Sequence, residues 1–434
     1  MPRTVAFCTL GCKVNQYDSQ AMLEAFERAG YVAAPFADVA DVYVVNTCTV
    51  TGTGDKKSRQ MIRRAARRNP EAAIVVTGCM AQRAAESLLL EGVMLVLGTQ
   101  RRGEIVTLLE GALAKGEPLI AVEPLAGDIA FEPLSVRRSE GRTRATLKIQ
   151  EGCGCRCTYC IIPSVRGPVR SRPLTEIAAE ARRLAEQGYQ EIVVAGIHLS
   201  SYGMDLAEKA TLRDALRVLQ ATEGVRRIRL GSLEPGIVTE DFVRGLAALD
   251  KLCPQFMLAL QSGSDAVLAR MGRRYRVSRY EAAVNALRAQ YPDAALTTDL
   301  MTGFPGETDA EFDETMAFVE RIGFARVHVF PYSRREGTPA ADMPGQVPHA
   351  VGEGRAQRLI ALGDTLARRY MERWIGRTRP VLFEEKAGLG ATGYTPEYVH
   401  VVADGTPGRI QNVRLTEMTV AREPALRGKV ESKA

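Results

Sequence analysis

Twice along this chain, short apolar runs alternate with stretches of helical periodicity, and few folds accept that pattern. Parallel strands need a crossover between them, and a helix is the usual one. In the first series, Thr4–Thr9, Asp41–Asn46, Ala73–Thr77 and Val93–Leu97 are rich in Val, Ile and Leu and predict strands. Gln16–Arg28, Lys56–Arg68 and Gln82–Leu90 predict the helices between them. The expectation is an α/β domain with a parallel sheet over residues 1–117. Pro118, Pro124 and Pro133 then predict a linker, 118–138, that resists both helix and ladder.

The second series spans 139–371. Its strands are expected at Ala145–Gln150, Glu191–Ala195, Arg227–Leu230, Phe256–Leu260, Ala295–Leu300 and Arg326–Phe330. Helices at Leu174–Gln187, Glu240–Leu249, Arg279–Ala289 and Glu311–Arg321 separate most of them. Six units are too few to close an eight-fold barrel, so an open partial (β/α)6 barrel is predicted. Arg355–Trp374 reads as one more helix. Beyond it, over 372–434, Pro380–Lys386, Tyr398–Val402 and Arg409–Leu415 read as strands, with Gly388, Gly390, Gly393, Gly405 and Gly408 at turns. That suggests a small antiparallel β-barrel of OB-like type with a polar, mobile tail after Val420.

No apolar run has the length of a membrane span. Met1–Leu10 is too short and too polar for a signal peptide, so a cytoplasmic protein without a membrane partner is expected. In that compartment nine cysteines suggest metal or redox chemistry rather than disulfides. The net charge of +6 permits a nucleic-acid partner without establishing one.

The stretch Glu151-Gly-Cys-Gly-Cys-Arg-Cys-Thr-Tyr-Cys160 contains C-x3-C-x2-C as Cys153, Cys157 and Cys160. Thiolates suit iron–sulfur clusters. Three thiolates on four irons leave one iron open to a ligand. The loop follows the first strand of the second series, on the face where such folds build active sites. A zinc knuckle is the competing assignment. It needs a fourth ligand, and no His lies nearby in sequence. Cys155 lies inside the motif, as a competing ligand or a bystander.

Cys12, Cys48 and Cys79 each lie just beyond a predicted strand of the first series, in Gly11-Cys12, Asn46-Thr-Cys48 and Thr77-Gly-Cys79. Carboxyl ends of parallel strands share one sheet edge, so these residues should converge. Gly11 and Gly78 suit close backbone approach. A second three-thiolate site is predicted. Cys8 within a strand and Cys253 before Pro254 read as buried small hydrophobes.

The central motif, with Tyr159 before its last cysteine, resembles the radical S-adenosylmethionine superfamily. Gly303-Phe-Pro-Gly-Glu307 resembles that family's segment along the adenine. With the N-terminal cysteines, the whole chain resembles the methylthiotransferases. Thr9-Leu-Gly-Cys-Lys-Val-Asn-Gln-Tyr-Asp-Ser19 and Gly196-Ile-His-Leu-Ser-Ser-Tyr-Gly203 are similar to the branch acting on N6-threonylcarbamoyladenosine at position 37 of tRNA. The resemblance implies two [4Fe-4S] clusters, on Cys153, Cys157 and Cys160 and on Cys12, Cys48 and Cys79. It implies S-adenosylmethionine held near Tyr159, Gly303, Pro305 and Gly306, with Ser232 and Glu234, which follow a central strand, as further candidates to hold it or to shape a turn, and a C-terminal TRAM-like RNA-binding barrel. It also implies a tRNA anticodon loop as substrate and an electron donor such as flavodoxin or ferredoxin. Cys8 and Cys155 stand where that family usually has other residues. Alternative readings are methylthiolation of isopentenyladenosine or of a ribosomal-protein aspartate, and an iron–sulfur redox sensor that binds RNA without turnover.

For RNA contacts, the predicted helix Lys56–Arg68 carries Lys56, Lys57, Arg59, Arg63, Arg64, Arg67 and Arg68, which read equally as a solvated helix face. Arg166, Arg170 and Arg172 either reach phosphate or neutralise carboxylates. Tyr394, Tyr398 and His400 are candidates for base stacking, though ordinary core or surface aromatics are the more expected reading. Gln261, Ser262 and Asp299 follow central strands and either hold ligand or shape turns. His198 is a candidate substrate contact without a catalytic role.

Overall fold

Whether an apolar run is buried on one face or two decides how its side chains are used, and the first sheet is buried on both. The computed structural model describes residues 3–127, 129–137, 143–388, 390–419 and 424–431. Its N-terminal sheet is six-stranded and parallel, in the order Val32–Ala34, Thr4–Thr9, Val42–Thr47, Ala73–Gly78, Val93–Leu97, Leu119–Ala121. Val42 and Val44 face a core completed by the helices Lys13–Arg28 and Ile105–Lys115. Tyr43 and Val45 face the opposite core, with Gly52–Arg68 and Cys79–Ala84. Strands enclosed this way read as continuous apolar runs.

The expected linker is not free of ladder. Leu119–Ala121 pairs with Val93–Leu97 as the sheet's edge strand. Its prolines, Pro118 and Pro124, flank the strand, and an edge tolerates them there. Residues 128 and 138, at the end of that expected linker, lie outside the described residues.

The central strands are Arg144–Lys148, Glu191–Ala195, Arg227–Leu230, Gln255–Leu258, Ala295–Thr302 and Arg326–Pro331, all parallel. The third breaks at Gly231 and resumes as Ser232–Leu233, which pairs with Gln255–Leu258. The result is an open six-stranded partial barrel with its helices outside. Leu212–Ala221 and Asp265–Arg270 escaped the periodicity reading, as did Ile105–Lys115 and Ile162–Arg166. The first starts at a capping box in which Thr211 and Asp214 exchange hydrogen bonds.

The last helix, His349–Glu372, leads into a closed barrel of Thr378–Ala387, Gly390–Tyr394, His400–Ala403, Ile410–Met418 and Leu426–Val430. Gly390 and Gly393 lie in a strand rather than at turns. A Cβ on Gly393 would come within 2.1 Å of the Leu382 carbonyl oxygen, so the close strand pairing requires glycine. The stretch after Val420 is not wholly a tail, because Leu426–Val430 closes the barrel. Residues 420–423 and 432–434 lie outside the described residues. Leu426–Val430 runs antiparallel to Ile410–Met418 but parallel to His400–Ala403. Five strands cannot alternate direction around a closed ring, so one parallel pair is unavoidable.

A buried ion network joins the first two domains. Asp18 meets Lys148 at 2.7 Å, Arg166 at 3.0 Å and, by a shorter contact, Arg102. Glu151 meets Arg166 at 3.0 Å, Arg102 at 3.4 Å and Lys148. Burial alone would raise the Asp18 carboxyl, but Arg102, Lys148 and Arg166 outweigh it and lower it. Glu151 lies well below its usual range, with burial outweighed by Arg166, Lys148 and Arg102. Such depressed carboxylates stabilise the fold above their ordinary values of 3.8 and 4.5, and that contribution is lost as pH falls through the folded-state values. Asp18→Asn leaves three buried cations under-compensated. It should cost about 3–5 kcal/mol, read as a lowered urea midpoint of the apo chain at pH 7, with the gap to the parent closing at acid pH.

Candidate functional site

The sheet order places two of the N-terminal cysteines at a topological switch point. Thr4–Thr9 lies between Val32–Ala34 and Val42–Thr47, and its following helix covers one face, while the helix after Val42–Thr47 covers the other. Such crevices are where open α/β sheets bind ligands. Cys12 and Cys48 flank the crevice, and Cys79 follows the next strand. Cys12 is exposed, Cys48 half-buried and Cys79 buried.

Local chemistry draws the three loops together. Asn15 donates to the carbonyls of Leu10 at 2.7 Å and Thr47 at 3.0 Å, tying the Cys12 loop to the Cys48 loop. The Thr47 hydroxyl donates to Thr77 O at 2.6 Å and accepts from Met80 N at 3.2 Å, which anchors the Cys79 helix. Gly11 has φ +95°, and a Cβ there would lie 2.9 Å from the Cys48 Cβ. Gly78 has φ +93°, and its Cβ would lie 2.4 Å from Asn46 Oδ1. Glycine is required at both positions.

The second cysteine group caps the partial barrel. Cys153 N donates to Gly167 O at 3.1 Å, Cys160 N to Cys157 O at 3.0 Å, and Thr158 N to Met271 O at 3.0 Å. Arg273 donates to Cys157 Sγ at 3.2 Å and pairs with Glu234 at 2.8 Å. Tyr159 meets Phe304 edge-to-face at 6.4 Å, linking this loop to Gly303–Glu307. Burial raises the Cys160 thiol to about 11 and the Cys79 thiol to about 11. Thiols held neutral in this way await a cation that favours the thiolate.

One short helix joins the two groups. Ile162–Arg166 begins two residues after Cys160, and its five residues rise about 7.5 Å. Ile161 and Val165 form a buried cluster with Cys79, and Arg166 Nε donates to Cys79 Sγ at 3.1 Å. That short helix therefore ties the Cys160 loop directly to Cys79.

Cys155 has a histidine beside it after all. His198, distant in sequence, sits with Nε2 3.8 Å from Cys155 Sγ and 3.3 Å from Glu234 Oε2. Cys153, Cys155 and His198 are close enough to offer donors to one metal ion. The Cys155 thiol is raised to about 12, chiefly by its hydrogen bond to Cys153, which is itself lowered by that bond. Cys155 thus serves Cys153 as a donor. Burial opposes charge on His198, but Cys155 and Glu234 outweigh it and raise the ring to about 9.

Of the residues expected near S-adenosylmethionine, Ser232 is exposed, Glu234 half-buried, and Gly303 and Pro305 are buried. Gly303 N donates to Glu307 at 2.7 Å, and Gly306 N to Gly345 O at 2.7 Å, so both amides are satisfied within the protein. Ser262 is a turn residue, hydrogen-bonded to Thr315 at 3.2 Å. Gln261 keeps a buried side-chain oxygen without a partner among the described residues. Burial raises the Asp299 carboxyl to about 6.

Arg166, Arg170 and Arg172 are all buried and hold no outer surface. Arg166 joins the ion network, Arg170 donates to Arg166 O, and Arg172 pairs with Glu180 at 2.6 Å. The structure thus corrects the phosphate option for all three. Lys56, Lys57, Arg63, Arg64, Arg67 and Arg68 are exposed on Gly52–Arg68, with no carboxylate within 4.0 Å among the described residues, while Arg59 is half-buried and donates to Ser87 O at 2.9 Å. Tyr394 stacks between Tyr398 at 4.5 Å and His400 at 5.0 Å, with Arg229 4.8 Å over Tyr398. The rings form a joint between the two barrels and line a cavity of ≈ 590 Å³ with His328. Arg273, Asn15 and Asp18 were absent from the sequence reading as site residues, and Arg166 entered it only as a contact to phosphate or carboxylate, because no spacing to the cysteines announces them.

No helix among the described residues is long and apolar enough to cross a membrane. Residues 4–98 match an uncharacterized protein family, UPF0004, and residues 147–319 match the radical SAM superfamily. The threonylcarbamoyladenosine tRNA methylthiotransferase MtaB of Bacillus subtilis is 43% identical over 95% of this chain and 93% of its own length. Its namesake from Thermotoga maritima is 38% identical over 96% and 95%. A tRNA-2-methylthio-N(6)-dimethylallyladenosine synthase of Paenarthrobacter aurescens is 37% identical over 90% and 76%. Among solved structures, the radical S-adenosylmethionine methyltransferase TsrM of Kitasatospora setae shares the fold, with TM-score 0.57 and 16% identity over 79% of this chain and 77% of that one.

Glu234→Gln should lower the His198 ring from about 9 toward its ordinary value of 6.5, followed by NMR of the apo chain across pH. An unmoved titration would show that Glu234 does not hold the charge.

Sheet, partial barrel and cysteine loops agree with these matches, and the chain belongs to the radical S-adenosylmethionine methylthiotransferases of tRNA, a family whose radical domain carries a [4Fe-4S] cluster and S-adenosylmethionine.

Proposed function

We propose that this protein methylthiolates C2 of N6-threonylcarbamoyladenosine at position 37 of tRNA. One observation carries the reading: a single five-residue helix runs from beside Cys160 to Arg166, which donates to Cys79, in a chain 43% identical to a methylthiotransferase named for that nucleoside. The C2–H bond is neither acidic nor attached to a leaving group, so polar catalysis has no foothold. Radical chemistry removes the hydrogen, and a second site close by delivers sulfur.

Cys153, Cys157 and Cys160 are the residues that would hold the radical cluster, and Cys12, Cys48 and Cys79 an auxiliary [4Fe-4S] cluster. The chemistry of the donors supports this: each group offers three thiols, and each receives a guanidinium N–H, from Arg273 or Arg166. When bound, the clusters and S-adenosylmethionine supply the carbon radical and the methylated sulfur. The protein's own work is placement. Tyr159 and Phe304 wall the radical site, Ser232, Glu234, Gly303, Pro305 and Gly306 surround the place for S-adenosylmethionine, and Gln261 Oε1 and Asp299 are acceptors there without side-chain partners among the described residues. Electrons come from a small carrier such as flavodoxin or ferredoxin.

An adenine in a stacked loop must leave the stack to reach a site between two domains. The exposed cations of Gly52–Arg68 suit phosphates of the anticodon loop, and that helix is fixed to the partial barrel by Arg335, which reaches Asp55 at 2.7 Å and Thr49 at 2.6 Å. Residues 1–117, 139–371 and 372–434 then act as auxiliary-site, radical and TRAM-like RNA-binding domains of a cytoplasmic enzyme.

Mass spectrometry of tRNA nucleosides from cells lacking the gene, and from the same cells with it restored, tests the substrate. The 2-methylthio form of N6-threonylcarbamoyladenosine should vanish and its precursor rise. An unchanged level, with loss of the isopentenyl counterpart instead, would move the chain to that branch. Replacing Cys153, Cys157 and Cys160 by Ala should leave about four irons per reconstituted chain and abolish 5′-deoxyadenosine formation with dithionite. Loss of all iron would remove Cys12, Cys48 and Cys79 from the ligand set.

A further inference from the structure

We infer that Arg166, a residue of the radical domain, is a positioning residue of the N-terminal three-thiol site and tunes the redox potential of the cluster held there. The inference rests on the proposal that Cys12, Cys48 and Cys79 hold an iron–sulfur cluster.

Arg166 is fully buried, at 0% exposure. Each edge of its guanidinium has a separate task. Nε donates to Cys79 Sγ at 3.1 Å. One terminal nitrogen donates to Asp18 and to Glu151, each at 3.0 Å. The other makes a short hydrogen bond to the side-chain oxygen of Asn15. Through its amide nitrogen, Asn15 holds the Leu10 and Thr47 carbonyls, the backbone just before Gly11-Cys12 and Cys48. Arg166 thus touches one cysteine directly and reaches the loops of the other two through a single side chain.

A residue needed only to neutralise Asp18 and Glu151 has no cause to aim a donor at sulfur. Lys148 and Arg102 already contact both carboxylates. Lysine presents a point charge, whereas the planar fork can serve carboxylate, amide and thiolate at once. A buried positive N–H donor at a cluster thiolate favours the reduced, more negative form and raises the potential. Arg166 also ends the helix that starts beside Cys160, so the same side chain fixes the auxiliary site relative to the radical site.

The test uses full-length reconstituted protein in which Cys153, Cys157 and Cys160 are Ala, so that only the N-terminal cluster is present. Absence of iron in that parent would overturn the ligand reading rather than the role of Arg166. With iron present, Arg166→Gln should shift the midpoint potential to more negative values, and Arg166→Lys should shift it less. Hyperfine spectroscopy of the reduced parent grown on 15N-arginine should show a nitrogen coupling that Arg166→Lys abolishes. That measurement interrogates the native side chain and decides the matter if Arg166→Gln does not fold. Iron-complete variants with the parent's potential, or no 15N coupling in the parent, would overturn the inference.

Discussion

The buried charges between Asp18, Glu151, Arg102, Lys148 and Arg166 are the constraint on which the rest of the molecule depends. Asp18 belongs to the first helix of the sheet domain, and Lys148, Glu151 and Arg166 to the start of the partial barrel. Two domains that met only through apolar faces would slide, because hydrophobic contact is non-directional. Charges removed from water tolerate no such freedom, since each needs its partners at hydrogen-bond distance. The network contributes little net stability relative to an apolar interface of the same size. What it imposes is register.

That register matters because the two cysteine groups belong to different domains. On the proposed function both sites must address one carbon of a base, and small misplacements are costly. The connection is short and stiff: Cys160, a five-residue helix, then Arg166 against Cys79. On the other side of the radical site, Arg273 links Cys157 to Glu234, and Glu234 to His198. Arginine recurs at these joints because it is always charged and serves several acceptors in fixed directions. The joint to the C-terminal barrel uses the same residue differently, with Arg144 and Arg229 lying over the Tyr394 and Tyr398 rings.

Much of the fold was legible in the sequence because periodicity is local. The strand Val93–Leu97 and the strand Glu191–Ala195 were read to the residue. The cysteines beyond the carboxyl ends of parallel strands stand on loops that Asn15 and Thr47 tie to one another. The misreadings also have local causes. Leu119–Ala121 hid between prolines that an edge strand accepts. Gly390–Tyr394 and Leu426–Val430 were too poor in apolar residues to register as strands, yet they close a barrel whose ring needs them. For Arg166, Arg170 and Arg172 the sequence left phosphate contact and carboxylate neutralisation both open, and only the positions of Asp18, Glu151 and Glu180 show that they face inward.

The sequence by itself determined the element order, the two cysteine groups and the family resemblance, since each depends on residue type and spacing along the chain. The tertiary structure alone decided that His198 and Glu234 stand beside Cys155, that Asn15 ties two cysteine loops, and that Arg166 crosses a domain boundary to reach Cys79. Those contacts join residues as many as 87 positions apart. No local propensity encodes such a pairing. It follows from which strand ends share an edge and from the demand that every buried charge find its partner.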